Sequence, residues 1–209
     1  MKKFICLGLV AMLALSCYRQ PRTQDHDEDY MVYTTPAEAI DFKAFQTYHV
    51  PDSLLVAGIE KDPYYVSDKD ALSIIETFKG EMENCGYTYV ADRSQADLGL
   101  QLTYIVFTQY YVEYYDPYWW WYGPGYWSPA YWGDWYGFYY PSAMMYTTST
   151  NMMISNLLDL TAVQGENQRL PVVWNAIMSG PTGSSLKQDL NRLTESIHQA
   201  FAQSPYLKR

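Results

Sequence analysis

The segment that decides the fold is residues 98–106, "LGLQLTYIV". Leu98, Leu100, Leu102, Tyr104 and Val106 fall on one side of an extended chain, and Gly99, Gln101 and Thr103 on the other, with Gln109 continuing the second row. Strict alternation over this length has the period of a β-strand that buries one face. Working outward, a second alternating run lies at 151–160, with Met152, Ile154, Leu158 and Leu160 on one face. Asn156 interrupts that apolar row, so a bulge or a partly exposed stretch is expected there. A "QGENQR" turn then leads to "LPVVWNAIMSG", a strand with Val173, Asn175 and Ile177 on one side and Val172, Trp174 and Ala176 on the other.

Two helices accompany these strands. In "SDKDALSIIETFKGEMENCGY", Ala71, Ile74, Ile75, Phe78 and Met82 recur at helical spacing. Ser67 with Asp70 three residues on forms a near capping box, and Gly86 suits a left-handed stop. The second helix follows Ser185 as N-cap with Gln188 three residues on. Its stripe is Leu186, Leu190, Leu193, Ile197 and Phe201, and Pro205 ends it. His198 lies beside the stripe as a boundary residue. "FKAFQTYHV" reads as a first strand through Phe42, Phe45, Tyr48 and Val50, followed by a loop containing "EKDPYY". A short strand at 87–90 and a turn around 92–95 precede the long strand. The expected fold is α+β: a largely antiparallel sheet, two amphipathic helices on one face, and a long aromatic-rich hairpin connection.

That connection, residues 114–141, includes "DPYWWWYGPGYWSPAYWGDWYGFYY" from Asp116 to Tyr140 and holds six of the seven tryptophans. Three readings are open. The rings pack on the sheet face opposite the helices, since large aromatics bury much area while keeping a polar tip wet. Or Trp119, Trp120, Trp121, Tyr126, Trp127, Trp132, Trp135 and Tyr136 form a contact surface for an envelope protein or a glycan. Asp116 and Asp134 would then accept hydroxyl hydrogen bonds. Or the segment sits at a bilayer interface, which its acidic pair and lack of Lys or Arg between Glu113 and Tyr146 disfavour.

The amino terminus, "MKKFICLGLVAMLALSC", has two lysines, an apolar run and a small residue before Cys17. This is the pattern of a secretory signal, and too short to span a bilayer, which takes roughly 18 apolar residues. Cys17 stands where a bacterial lipoprotein is cleaved and diacylated with palmitate-type chains, although "ALSC" departs from the usual box. The expected organisation is a signal peptide at 1–16, a lipidated, flexible acidic tether at 17–40 around Asp25, Asp27, Glu28 and Asp29, and one α+β domain at 41–209. The formal charge of −9 becomes about −11 when Lys2 and Lys3 leave with the signal, which argues against nucleic acid. Cys6 leaves with the signal and Cys17 carries lipid, so Cys85 remains as a buried structural thiol without a disulfide partner.

Candidate chemistry is sparse. The three histidines, His26, His49 and His198, are too dispersed for a metal cluster or a Ser-His-Asp triad, so no metal or cofactor is expected. "YGPGYW" has glycines but no following helix to receive a phosphate. A hydrolase using Glu113, Asp116 and Asp134 beside the aromatic surface is the third-ranked function. The first is a non-catalytic binding or scaffolding module, and the second a carbohydrate- or peptidoglycan-binding lipoprotein.

Four stretches resemble a bacterial lipoprotein family catalogued as domain of unknown function 4136. They are "FKAFQTYHVPDS", "MENCGYTYVADRSQADLGLQLTY", "NLLDLTAVQGENQRLPVVWNAIMSG" and "LNRLTESIHQAFAQSP". The resemblance spans about residues 42–206, and one departure is Asn175 after Trp174, where the family often has Arg. The expected location is the outer membrane, facing either the periplasm or the cell surface, and the resemblance implies an α+β envelope lipoprotein of Gram-negative bacteria. It implies no activity, and the oligomeric state is left open.

Overall fold

The computed structural model describes residues 31–58, 63–106, 129–132, 138–139, 151–162, 170–180 and 186–209. Its strands are β1 Met31–Pro36, β2 Thr47–His49, β3 Leu54–Gly58, β4 Tyr64–Val66, β5 Thr88–Tyr89, β6 Leu98–Val106, β7 Phe138–Tyr139, β8 Asn151–Asp159 and β9 Leu170–Gly180. The helices are α1 Lys69–Asn84, the single turn α2 Pro129–Trp132, and α3 Leu186–Ala202. The fold is α+β, built on one open mixed sheet in the order β1-β9-β8-β6-β2-β5, to which β3 and β4 add beside β6. The long strands β6, β8, β9 and β1 are all antiparallel neighbours. The parallel pairs are short: β2 joins the start of β6 at Tyr48↔Leu98, and β3 joins its end from Leu55↔Thr103 to Gly58↔Val106. Pro51, which has no N–H to give a ladder, separates these two short strands.

The β6 alternation holds. Leu98, Leu100 and Leu102 are buried against Ile75, Phe78 and Met82 of α1 and Leu193, Ile197 and Phe201 of α3. Phe78 and Phe201 meet edge to face at 6.1 Å, and Trp174 tilts onto Phe201 at 5.2 Å. The indole of Trp174 is fully buried and donates to Ser204 Oγ at 3.0 Å, so its one polar atom is satisfied inside the core. At the surface of this layer His198 Nδ1 lies 2.7 Å from Glu81 Oε1, tying α3 to α1.

Local chemistry sets the element ends. Asp68 caps α1 by accepting from Ala71 N at 2.9 Å, one residue beyond the Ser67 that the sequence suggested. Cys85 follows as a buried thiol whose pKa is raised by burial and then by Glu81. Gly86 turns the chain at φ +96°, where a Cβ would be strained. The carboxylate of Asp97 accepts from the backbone N–H of Gln46 and Thr47, at 2.6 and 3.0 Å, and so pins β2 beside the start of β6. At the carboxyl end, Arg209 N donates to Cys85 O at 3.1 Å.

Several expectations are corrected. Residues 31–36, assigned to a tether at 17–40, form edge strand β1, paired with β9 from Met31↔Ser179 to Pro36↔Trp174. Phe42 and Phe45 are core residues but not strand residues, because Phe42–Ala44 is a 3-10 turn capped by Asp41. The region after Pro51 holds the β3–β4 pair instead of a simple loop. Asn156 is fully buried, and the register runs through it unbroken. The irregularity lies on β9 instead: Leu157 faces Trp174 and Leu158 faces Val172, so Val173 is the extra residue. That bulge turns Val173 into the helix-side core and Val172 away from it, and Asn175 keeps to the opposite face from Trp174. Ser185, the expected cap of α3, lies outside the described residues, as do residues 1–30.

Candidate functional site

The sheet face away from α1 and α3 is the unusual one. From β6 it receives Gly99, Gln101, Thr103 and Ile105, and from β8 Met152, Ile154, Asn156 and Leu158. From β9 it receives Val172, Asn175, Ile177 and Ser179. Its apolar members form a second core that includes Trp132 and, at its margin, Tyr131 and Leu160.

Trp132 enters from the aromatic connection, far along the sequence from its seat. Its indole lies over Gly99, where an added Cβ would overlap the ring edge, 2.6 Å from Cη2, and come within 3.1 Å of Leu160 Cδ2. Only a residue without a side chain leaves room for the ring. Trp132 Nε1 donates to Gln101 Oε1 at 2.9 Å, and Gln101 Nε2 donates to Leu102 O at 3.0 Å. Removing the indole N–H would leave a buried amide oxygen unpaired, at a cost of about 1–3 kcal/mol. Beside it, Tyr131 meets the Tyr65 ring at 5.0 Å and its hydroxyl is hydrogen-bonded to Ser53 Oγ.

His49 closes the seat on the β2 side. Its ring meets Trp132 edge-on at 6.2 Å and stacks on Tyr89 at 6.4 Å, with Nδ1 3.1 Å from Val90 O. Burial lowers its pKa, outweighing the Val90 carbonyl that acts the other way, and the Arg93 charge lowers it further. His49 is therefore biased toward the neutral ring.

Across the same face runs a row of polar side chains in register. Gln101 on β6 pairs with Asn156 on β8, Asn156 with Asn175 on β9, and Asn175 with Thr35 on β1. Gln101, Asn156 and Asn175 are each less than 5 % exposed. The hydroxyl oxygens of Thr35, at the row's end, and of Thr103, one pair further along β6, are buried without a hydrogen-bond partner among the described residues. A buried hydroxyl left unpaired is costly, and such atoms call for a physical reason.

Of the candidate contact residues, the structure places Trp132, and it corrects that one: at 3 % exposure it is a packed anchor and not an open contact surface. Trp119, Trp120, Trp121, Tyr126, Trp127, Trp135, Tyr136, Asp116 and Asp134 lie outside the described residues, as do Glu113 and the proposed lipid site Cys17. Residues that the sequence did not single out are Gly99, Gln101, His49, Ser53 and Tyr131. The available signal was Gly99, because an isolated glycine inside an alternating strand marks a close approach. Among the described residues there is no group of three or more His, Cys, Asp or Glu side chains placed to hold a metal ion. No helix among them is long and apolar enough to cross a membrane.

Comparison with known proteins gives a family match. Residues 32–206 match "Domain of unknown function (DUF4136)". The chain is similar to the crystal structure of a DUF4136 family protein from Bacteroides thetaiotaomicron, at 42% identity and a TM-score of 0.74, covering 87% of this chain and 99% of that one. A dodecameric PelC variant from Paraburkholderia phytofirmans is similar at 15% identity and a TM-score of 0.41, covering 86% of this chain and 98% of that one. A PDZ domain protein from Parabacteroides distasonis is similar at 14% identity and a TM-score of 0.35, covering 88% of this chain but 38% of that one. No curated protein matches.

Proposed function

The chain belongs to the DUF4136 family, and from that premise we propose that it is a lipid-anchored, non-catalytic binding or scaffolding protein of a Gram-negative cell envelope. The observation that carries the binding role is the Trp132 seat. A buried ring, a glycine notch and a satisfied indole N–H tie Trp132 of the aromatic-rich connection to Gly99 and Gln101 of β6. A binding element ordered in advance loses less freedom when a partner binds. The anchoring role is supported by the sequence from Lys2 to Cys17, with lipid chains supplying membrane attachment without a transmembrane helix. A glycan is the second reading, favoured by the Trp- and Tyr-rich composition of residues 116–140, whose rings suit stacking on sugar faces.

Two measurements on the full chain in a Gram-negative host test this. Cys17→Ala is expected to move the protein from the membrane fraction to the soluble one and to remove the mass of the acyl chains. Unchanged fractionation and mass would reject the anchor. Replacing Trp119, Trp120 and Trp121 together with Ala is expected to leave the domain folded while abolishing its retention on purified sacculi or its cross-link to an envelope protein. Undiminished retention and cross-linking would count against the binding role.

A further inference from the structure

We propose that edge strand β1 is a self-association surface: two copies of the chain join their β1 strands antiparallel about a two-fold axis at Tyr33, so that one sheet runs through both. The ladder with β9 fixes which groups the strand offers. Ala37 N donates to Val173 O at 2.8 Å, and Pro36 stands opposite Trp174 in register. Hydrogen bonding alternates along an antiparallel pair, so Tyr33 and Thr35 turn their N–H and C=O toward β9, and Val32 and Thr34 turn theirs away from it. Pro36 falls in the outward set, where its missing N–H costs the ladder nothing. β1 ends the strand order, and no strand among the described residues lies on its outer side.

The geometry and chemistry of the strand favour a second copy as its occupant. The outward groups of Val32 and Thr34 are symmetric about Tyr33. In that register Val32 pairs with Thr34 of the second copy and Thr34 with its Val32, each pair exchanging two N–H···O bonds. "MVYTTP" has no charged residue, so the edge lacks the lysine or inward charge that ordinarily guards against strand addition. Its neutrality also lets two copies of a chain of net charge −9 meet there without charge against charge. Met31 and Tyr33 are exposed large apolar side chains on one face of the strand. In the joined sheet Tyr33 lies against Tyr33 of the second copy and Met31 against its Thr35, which covers both. α3 packs on β1 and β9, so the same axis sets the two α3 helices about 10 Å apart, close to the spacing of packed helices.

The test uses the full chain expressed in a Gram-negative host and purified in detergent, its mass read by sedimentation equilibrium with the detergent density-matched. The parent is expected to show twice the chain mass. Thr34→Pro, which removes an outward N–H and no bond to β9, is expected to halve that mass while circular dichroism stays unchanged. Disulfide trapping reads the register independently. In Tyr33→Cys the paired Cα atoms stand about 4.5 Å apart, within disulfide reach, so oxidation is expected to give a linked dimer. In Met31→Cys they stand about 14 Å apart, and neither this variant nor the parent, with the same Cys17 and Cys85, is expected to give one. A monomeric parent chain overturns the proposal, whether β1 is then open or taken by a strand of another envelope protein. So does a folded Thr34→Pro chain that stays dimeric, or Met31→Cys that cross-links as readily as Tyr33→Cys. If Thr34→Pro does not fold, the trapping pattern decides.

Discussion

On the helix side of the sheet, Leu98, Leu100 and Leu102 meet Phe78, Phe201 and the other residues of two amphipathic stripes. One residue away on the same strand, Gly99 and Gln101 meet a single indole that arrives from a connection between strands. The first face is assembled from many redundant apolar contacts. The second has a smaller apolar cluster of its own, but its Trp132 seat depends on one shape fit and one hydrogen bond beside a row of buried amides. The difference teaches where this fold has latitude. Redundant apolar packing tolerates small shifts, whereas a notch that only glycine can form does not.

Trp174→Ala probes the redundant side and carries the largest expected effect. It empties a fully buried indole site against Phe201 and removes one of the two hydrogen-bond partners of the Ser204 hydroxyl, leaving Tyr206 as the other. A loss of about 3–5 kcal/mol is expected in urea unfolding. Gly99→Ala probes the other side and is expected to cost less, about 1–3 kcal/mol, because the ring leaves its seat without opening the helix-side core. Equal losses for the two variants would erase the distinction between the faces.

The smallest effect is pH dependence at His49. Its pKa in the folded chain is lowered by burial, so the unfolded chain binds more protons than the folded one between the lowered value and about 6.5. The stabilising contribution is full above about pH 6.5 and is lost as pH falls toward the lowered value. Asp92 acts in a separate, more acid window. Its carboxyl is held low by the Ser94 side-chain and backbone hydrogen bonds, so its contribution fades only as pH drops below about 3.9. His49→Gln is expected to flatten the first window and not the second, read as the difference in urea midpoint between pH 8 and 5.5. Parallel profiles for parent and variant would remove His49 from the account of the seat.

The helix-side face was legible in the sequence because periodicity reports burial directly. Leu98 to Tyr104, the α1 stripe and the α3 stripe are each a regular pattern with a local cause. Edge strand β1 was not legible, since "MVYTTP" is polar and half-exposed and gains its strand state from pairing with β9. The flip of Val172 and Val173 was hidden because a bulge is decided by the partner strand. The buried row was visible only as separate polar residues: Gln101, Asn156 and Asn175 come from three strands, and their alignment is a property of register. The Trp132 seat was half written in Gly99. Its occupant lies thirty-odd residues on, and local patterns do not say which of six tryptophans returns to the strand.

The account turns on that seat, and hydrogen exchange of the Trp132 indole N–H reports it directly. The resonance is identified as the one missing from Trp132→Phe. In the parent chain it is expected to be among the slowly exchanging indole protons, alongside that of Trp174, and in Gly99→Ala to exchange fast while Trp174 stays protected. A Trp132 indole that exchanges at once in the parent chain, or that is equally protected with alanine at position 99, would contradict the account.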